Sequence, residues 1–312
     1  MKKFLLQITF LIFIPTILLV SICEWSMRCI PNDYSYKDEW MTKNASTIEI
    51  LNFGSSHGFY GIRPEFFSRP AYNLAFVSQC IKYDYFLYNK YISYCDSLRY
   101  VILPVSYFSL RGQLESGIED WRVKFYCIYM GCDYHKLEWK YNMEISDKAK
   151  LRDIIPSWIH NISYISCNER GWGMHVINHR DSTWYLQGPI AAKRHTTADT
   201  THVIENIQRI ESIIQDCQKR GIQVILLTTP TYHTYYDCLE KEEYTQMTAT
   251  CAHLEQKYYN VIYLNWLKNK DFTEDDFFDA DHLNKYGAKK LTIMLDSCII
   301  GERLYHQANS IQ

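Results

Sequence analysis

The chain has 312 residues, 47% of them apolar and 15% aromatic, which is enough material for one sizeable core of the α/β size class and, most economically, one catalytic domain. Its 33 basic and 35 acidic residues leave a formal charge of −2. No Lys/Arg run alternates with aromatics, so the electrostatic footprint of a nucleic-acid partner is missing and neutral or polymeric substrates fit better.

In chain order, the first element is an uncharged apolar run from Phe4 to Cys23, about long enough to cross a bilayer. Lys2 and Lys3 precede it, so the positive-inside bias predicts a cytoplasmic N-terminus and an exported remainder. A cleaved signal peptide is the rival, but no small-x-small site follows the run. Lipid attachment at Cys23 would expect a small residue where Ile22 stands. Pro15 is tolerable in a membrane helix. Residues 24–46 are polar and aromatic without clear periodicity, as suits a short stalk or lead-in.

From residue 47 the pattern alternates. Strands are predicted near 48–53, 71–75, 100–106, 222–228 and 261–264, and helices near 79–95, 202–220, 241–258 and 285–299. That alternation predicts a parallel sheet of about five strands covered by helices on both faces, with ligands at the strands' carboxyl ends. Gly221 is placed to cap the helix before the most apolar strand, Val224-Ile225-Leu226-Leu227. Residues 111–200 interrupt the alternation with Trp121, Trp139, Trp158, Trp172 and Trp184. They form either a helical insertion that buries its aromatics or a wall on which sugar rings stack. His175 and His179 have helical metal-ligand spacing, but no third ligand is evident, and neither a metal nor a cofactor is predicted. Eleven cysteines fit export poorly. Cys80, Cys95, Cys217, Cys251 and Cys298 fall on apolar helical faces and read as buried small hydrophobes.

Two short segments carry chemistry. The run Thr47–Phe53 alternates apolar and polar residues and then meets Gly54-Ser55-Ser56-His57-Gly58, as a strand feeding a tight turn should. Near the other end stands Asp279-Ala280-Asp281-His282-Leu283-Asn284. A serine hydroxyl must lose a proton as it attacks, and a histidine held by a carboxylate takes it. Asp279 and His282, three residues apart, offer that pair, and replacing the neighbouring Asp281 with Asn is expected to be much milder than the same change at Asp279. Thr228-Thr229-Pro230-Thr231-Tyr232-His233 ends a strand at the same predicted edge, which makes His233 a rival base or a substrate contact. His57 either touches substrate or satisfies the turn.

These two segments, with Tyr286-Gly287-Ala288 after the second, resemble the SGNH/GDSL hydrolase superfamily, and most of all its membrane-anchored branch associated with polysaccharide O-acetylation and D-alanyl-lipoteichoic acid synthesis. The resemblance covers most of residues 47–110 and 201–300. It implies a three-layer, flavodoxin-like αβα fold with Ser56 as nucleophile, His282 as base and Asp279 as its partner. It also implies a carbohydrate polymer or glycolipid substrate and a membrane acyl-transfer partner. The family's Gly-x-Asn-Asp block is missing: the chain reads Pro104-Val105-Ser106-Tyr107 there. Oxyanion donors are therefore sought in the backbone at Ser56 and around Ser78, or in the side chains of Gln79, Ser106 and Tyr107. The missing block also admits a different reading, a non-catalytic assembly factor that keeps the fold.

Overall fold

The computed structural model describes residues 7–177 and 180–309, so Lys2, Lys3, the first residues of the apolar run and His179 lie outside the described residues. The chain divides into two compact units, residues 1–40 with 118–166 and residues 41–117 with 167–312. The aromatic insertion is thus shared. Residues 118–166 group with the N-terminal segment, and residues 167–200 group with the sheet.

In the first unit, helix α1 (Ile14–Arg28) follows a π-helical turn, Thr9–Phe13. Together they give one helix, Thr9–Arg28, long and apolar enough to cross a membrane. Pro15 falls directly after the π-helical turn, inside the continuous helix, where it removes one backbone hydrogen bond. At the far end the Glu24 carboxylate accepts the backbone N–H groups of Glu144 and Ile145 at 3.0 and 2.9 Å. Arg28 closes the arrangement by donating to Glu24 and to the Asn142 carbonyl. Residues 33–44, within the expected lead-in, are helical. Trp121, Trp139 and Trp158 are exposed in this unit. A cavity of about 310 Å³ opens there between aromatic and polar side chains that include Tyr34, Trp121, Phe125, Arg122 and Lys150.

The second unit is built on five parallel strands: β1 (Ile50–Asn52), β2 (Ala71–Asn73), β3 (Tyr100–Pro104), β4 (Gln223–Thr228) and β5 (Val261–Asn265). They lie in the order β2-β1-β3-β4-β5. The flanking helices are α2 (Ser56–Gly61), α3 (Ile81–Tyr91), α4 (Gly188–His195), α5 (Val203–Arg220), α6 (Lys241–Lys257) and α7 (Lys285–Asn309). Every residue of β1, β2 and β3 is buried, as strands covered on both faces must be. This is the doubly wound α/β arrangement that the alternation predicts.

The helices read directly from their residues. In α5, Val203, Ile210, Ile213, Ile214 and Cys217 are buried along one face, and Gly221 ends the helix at φ +70°. The core beneath α7 gathers Ile102, Ile225, Leu227, Leu291 and Leu295 with Trp172 and Trp184, so two of the five insertion tryptophans are core residues. Cys80, Cys95, Cys217 and Cys251 are buried as well. Burial pushes their thiols up to about 11 or 12, which keeps them protonated and apolar in character. Cys298 is half-buried.

The loop entering α7 is held by its own polar groups. Asn284 Oδ1 accepts the N–H groups of Tyr286 and Gly287, an N-cap, and its amide donates to the carbonyls of Asp275 and Phe277. A Cβ at Gly287 would stand 2.1 Å from the Asp276 carbonyl oxygen. Gly287→Ala should therefore push the loop off the helix and lower stability by about 1–3 kcal/mol. Thermal melts of the two proteins check this, and equal midpoints would refute it.

Candidate active site

The order β2-β1-β3-β4-β5 reverses direction at β1 and β3, the position at which open parallel sheets characteristically bind ligands, outside the strands' carboxyl ends. Ser56 and His57 follow β1 at that edge, and Ser106 and Tyr107 follow β3. The turn after β1 requires glycine. Gly54 has φ +104°, and a Cβ there would meet the Pro104 ring at 3.1 Å. The Gly54 N–H donates to Asp84 Oδ1 at 2.8 Å, and that oxygen also takes the Gln79 amide at 2.6 Å. From β2, Asn73 donates to the carbonyls of Gly58 and Ile62 at 2.9 and 2.8 Å and accepts from Asn52 at 2.8 Å. The short α2 is thus fixed from below by buried amides and a carboxyl group.

Ser56 Oγ lies 2.8 Å from His282 Nε2. On the other side of the ring, Nδ1 is 2.9 and 3.0 Å from the two Asp279 oxygens. Asp279 Oδ1 also accepts the backbone N–H of Asp281 at 3.1 Å and of His282 at 2.8 Å. One carboxylate therefore fixes both the loop and the ring that the loop carries. Burial by itself would lower the His282 pKa, but the charges of Asp279 and Asp281 outweigh it and raise it to about 9. Such a constellation can take the serine proton during attack on an acyl carbon and stabilise the resulting imidazolium.

The remaining candidates separate clearly. The Ser106 hydroxyl is 2.8 Å from His57 Nδ1, so its hydrogen bond goes to that ring. Gln79 is buried with its amide on Asp84, not turned to an open pocket. The Tyr107 hydroxyl meets Thr196 Oγ1 at 2.9 Å and accepts the Glu240 N–H at 3.1 Å. These three side-chain candidates for oxyanion donation are thus each engaged in bonds within the fold. Ser78 adopts φ +60°, a left-handed turn residue. Ser56 begins α2, where N–H groups lack intrahelical partners. His233 is 54% exposed with its Nδ1 3.7 Å from Asp237, and it is His282 that bonds Ser56. His175 packs beside Phe278 and Tyr60.

Asp281 is 4% exposed and stands among His57, His195, His282 and Arg194, surroundings that its place beside the pair in sequence does not announce. Burial pushes its carboxyl up, but the charge of His282 first, and then the contact with His57, outweigh it and hold the group well below the usual carboxylate range. Burial also lowers His57, and lowers His195 to about 3. His57, Asp281 and His282 each offer one ligand atom, all within 4.8 Å of one another. No local signal in the sequence marks this cluster, because α2, α4 and the Asp279–Asn284 loop each contribute to it.

A protein-family model matches residues 174–304, which take in Asp279 and His282. No curated protein matches the chain. Similar solved structures include a GDSL-like lipase from Bacteroides thetaiotaomicron, 10% identical, with 87% of this chain and 100% of that chain covered and a TM-score of 0.43. A candidate acylhydrolase from Bacteroides fragilis is 10% identical over 85% of this chain and 95% of that chain, with a TM-score of 0.41. A candidate lipolytic protein of the G-D-S-L family from Desulfitobacterium hafniense is 11% identical over 80% and 98%, also at 0.41.

Asp84 generates a prediction about pH. Burial raises its carboxyl to about 7, against the pull of its bonds from Gln79 and Gly54. A carboxyl raised on folding stabilises the fold most fully below its unfolded value, about 3.9, and loses that contribution as pH rises through about 7. Asp84→Asn lacks the titration, so its melting temperature relative to wild type should rise between pH 4 and pH 8. A pH-independent difference between the two melting curves would contradict this.

Proposed function

We propose that the protein is a serine-dependent acyl-ester enzyme that adds or removes an acyl group, most simply acetyl, on a cell-envelope or secreted polysaccharide or glycolipid. The observation that carries this reading is the continuous set of contacts from Ser56 Oγ to His282 Nε2 and from His282 Nδ1 to Asp279. In the proposed reaction His282 takes the Ser56 proton as the hydroxyl attacks the acyl carbon, and Asp279 holds the imidazolium. The alkoxide-like oxygen is met by backbone N–H groups at the start of α2 and beside Ser78. Collapse expels the donor's alcohol, which receives the proton from His282, and leaves an acyl-serine. Water as second acceptor returns the acid; a sugar hydroxyl returns a new ester.

The apolar helix Thr9–Arg28 supports a membrane-anchored placement with the catalytic unit outside the cytoplasm, and with it the transfer branch of the resemblance and a membrane partner that delivers acyl groups. The exposed Trp121, Trp139 and Trp158 offer flat apolar faces of the kind that sugar rings stack on. A second reading, an assembly factor without catalysis, is favoured by one observation: the side chains of Gln79, Ser106 and Tyr107 are all spent on bonds within the fold.

Covalent labelling by a fluorophosphonate separates the two. Wild type should be labelled and Ser56→Ala should not; a folded wild type that resists labelling and leaves acetyl esters intact would favour the assembly factor. Where turnover is found, Ser56→Ala and His282→Ala should each abolish nearly all of it, and the double variant should lose little more than either. Asp279→Asn should fold and lose on the order of a hundredfold or more in rate.

A further inference from the structure

Behind the Ser56–His282 pair lies a second serine–histidine–carboxylate array. His57 is 4% exposed, its Nδ1 meets the Ser106 hydroxyl at 2.8 Å, and its Nε2 faces Asp281 Oδ2 at 3.5 Å. Among the described residues, neither His57 Nε2 nor Asp281 Oδ2 has a hydrogen-bond partner, although both are buried. An isolated buried carboxylate oxygen is costly, so its surroundings must compensate it. The Arg194 guanidinium and the His282 ring in its protonated form supply charge, while His57 and His195, lowered by burial, supply dipoles. Around Asp281 Oδ2 stand His57 from α2 and, at 3.7 Å, His282 Nδ1 from its own loop. His195 Nδ1 at 3.9 Å and the Arg194 guanidinium at 4.0 Å come from α4. Asp279 bonds the same His282 Nδ1 at 2.9 Å, and the Tyr235 hydroxyl meets His195 Nδ1 at 2.9 Å.

We propose that Asp281 is a second carboxylate for the Ser56–His282 pair, a positioning residue that, buried and 3.7 Å from His282 Nδ1, supports the imidazolium by charge while the more exposed Asp279 holds the same nitrogen by hydrogen bond. The inference rests on the acyl-transfer reading above. Two features of the geometry support it. Asp281 acts from a buried position, where a charge is felt more strongly than across water. Its second effect runs through His57. Burial keeps that ring neutral, and a neutral ring whose Nδ1 accepts the Ser106 hydroxyl carries its proton on Nε2, directed at Asp281. His57 meets the His282 ring edge-on with centroids 5.2 Å apart. Fixing the orientation of one ring therefore confines the other, and keeping His57 neutral spares His282 a neighbouring like charge.

The experiment uses the full chain and two probes, the rate of Ser56 labelling by a fluorophosphonate and p-nitrophenyl acetate hydrolysis, each followed against pH. A base must be neutral to act, so both rates should rise with pH through the His282 pKa. Asp281→Asn should lower the plateau rate about tenfold or more, mostly in kcat, and move the rising limb to lower pH by about one unit. In Asp279→Asn the limb should stay above the ordinary histidine value, because Asp281 keeps its charge. Looser packing alone would lower rates without moving the limb. An unshifted limb in Asp281→Asn overturns the proposal, as does a limb in Asp279→Asn that falls to the ordinary histidine value, and this second variant decides the matter should the first not fold. If wild type and Ser56→Ala label alike, the acyl-enzyme reading fails and takes this inference with it. If Ser56 labels and the limb does not move, the inference alone fails.

Discussion

The bond between Ser56 and His282 joins residues 226 positions apart in the chain, and it depends on every strand of a parallel sheet ending at the same edge. Each crossover helix returns the chain to the opposite edge before the next strand begins. Loops after β1, β3, β4 and β5 therefore collect at one rim whatever their separation in sequence. Ser56 reaches that rim by the turn after β1, and His282 by the loop before α7. What remains is local adjustment, and polar side chains supply it: the Asn73 amide and the Asp84 carboxyl set the position of α2, and the Asn284 amide sets the loop entering α7.

That division between global topology and local adjustment explains what could be read in advance. The five strands were legible because each is a short apolar run bounded by turn residues, and the burial of β1, β2 and β3 on both faces produces that signal. Ser56, Asp279 and His282 were legible because each motif is local: a glycine turn after a strand, and an Asp three residues before a His. The surroundings of Asp281 were not legible, because they come from His57, His195 and Arg194, residues on helices that nothing in the local sequence connects to it. Gln79, Ser106 and Tyr107 lie near the predicted edge, yet a one-dimensional pattern cannot tell a side chain turned into a crevice from one turned onto its own scaffold. The tryptophans show the same limit, since Trp172 and Trp184 are core while Trp121, Trp139 and Trp158 are exposed.

The histidine cluster also has an internal electrostatic logic. Three imidazoles surround one buried carboxylate, but they do not share its charge equally. His57 and His195 are pushed toward neutrality by burial, whereas His282, with Asp279 as well as Asp281 beside it, is pushed toward the charged form. Burial and two carboxylates together thus order three titrations, with the most easily protonated ring being the one that touches Ser56.

The Glu24 carboxylate grips two backbone amides at Glu144 and Ile145 from the last turns of α1. A helix joined to its unit by a flexible tether could spin and tilt freely beneath it. Here the grip and the Arg28 contacts act as a clamp, so any rotation of α1 about its axis turns residues 142–145 with it. Were that helix to sit in a bilayer, its tilt would set the attitude of the first unit to the membrane plane, and lipid thickness would become a mechanical input to the protein.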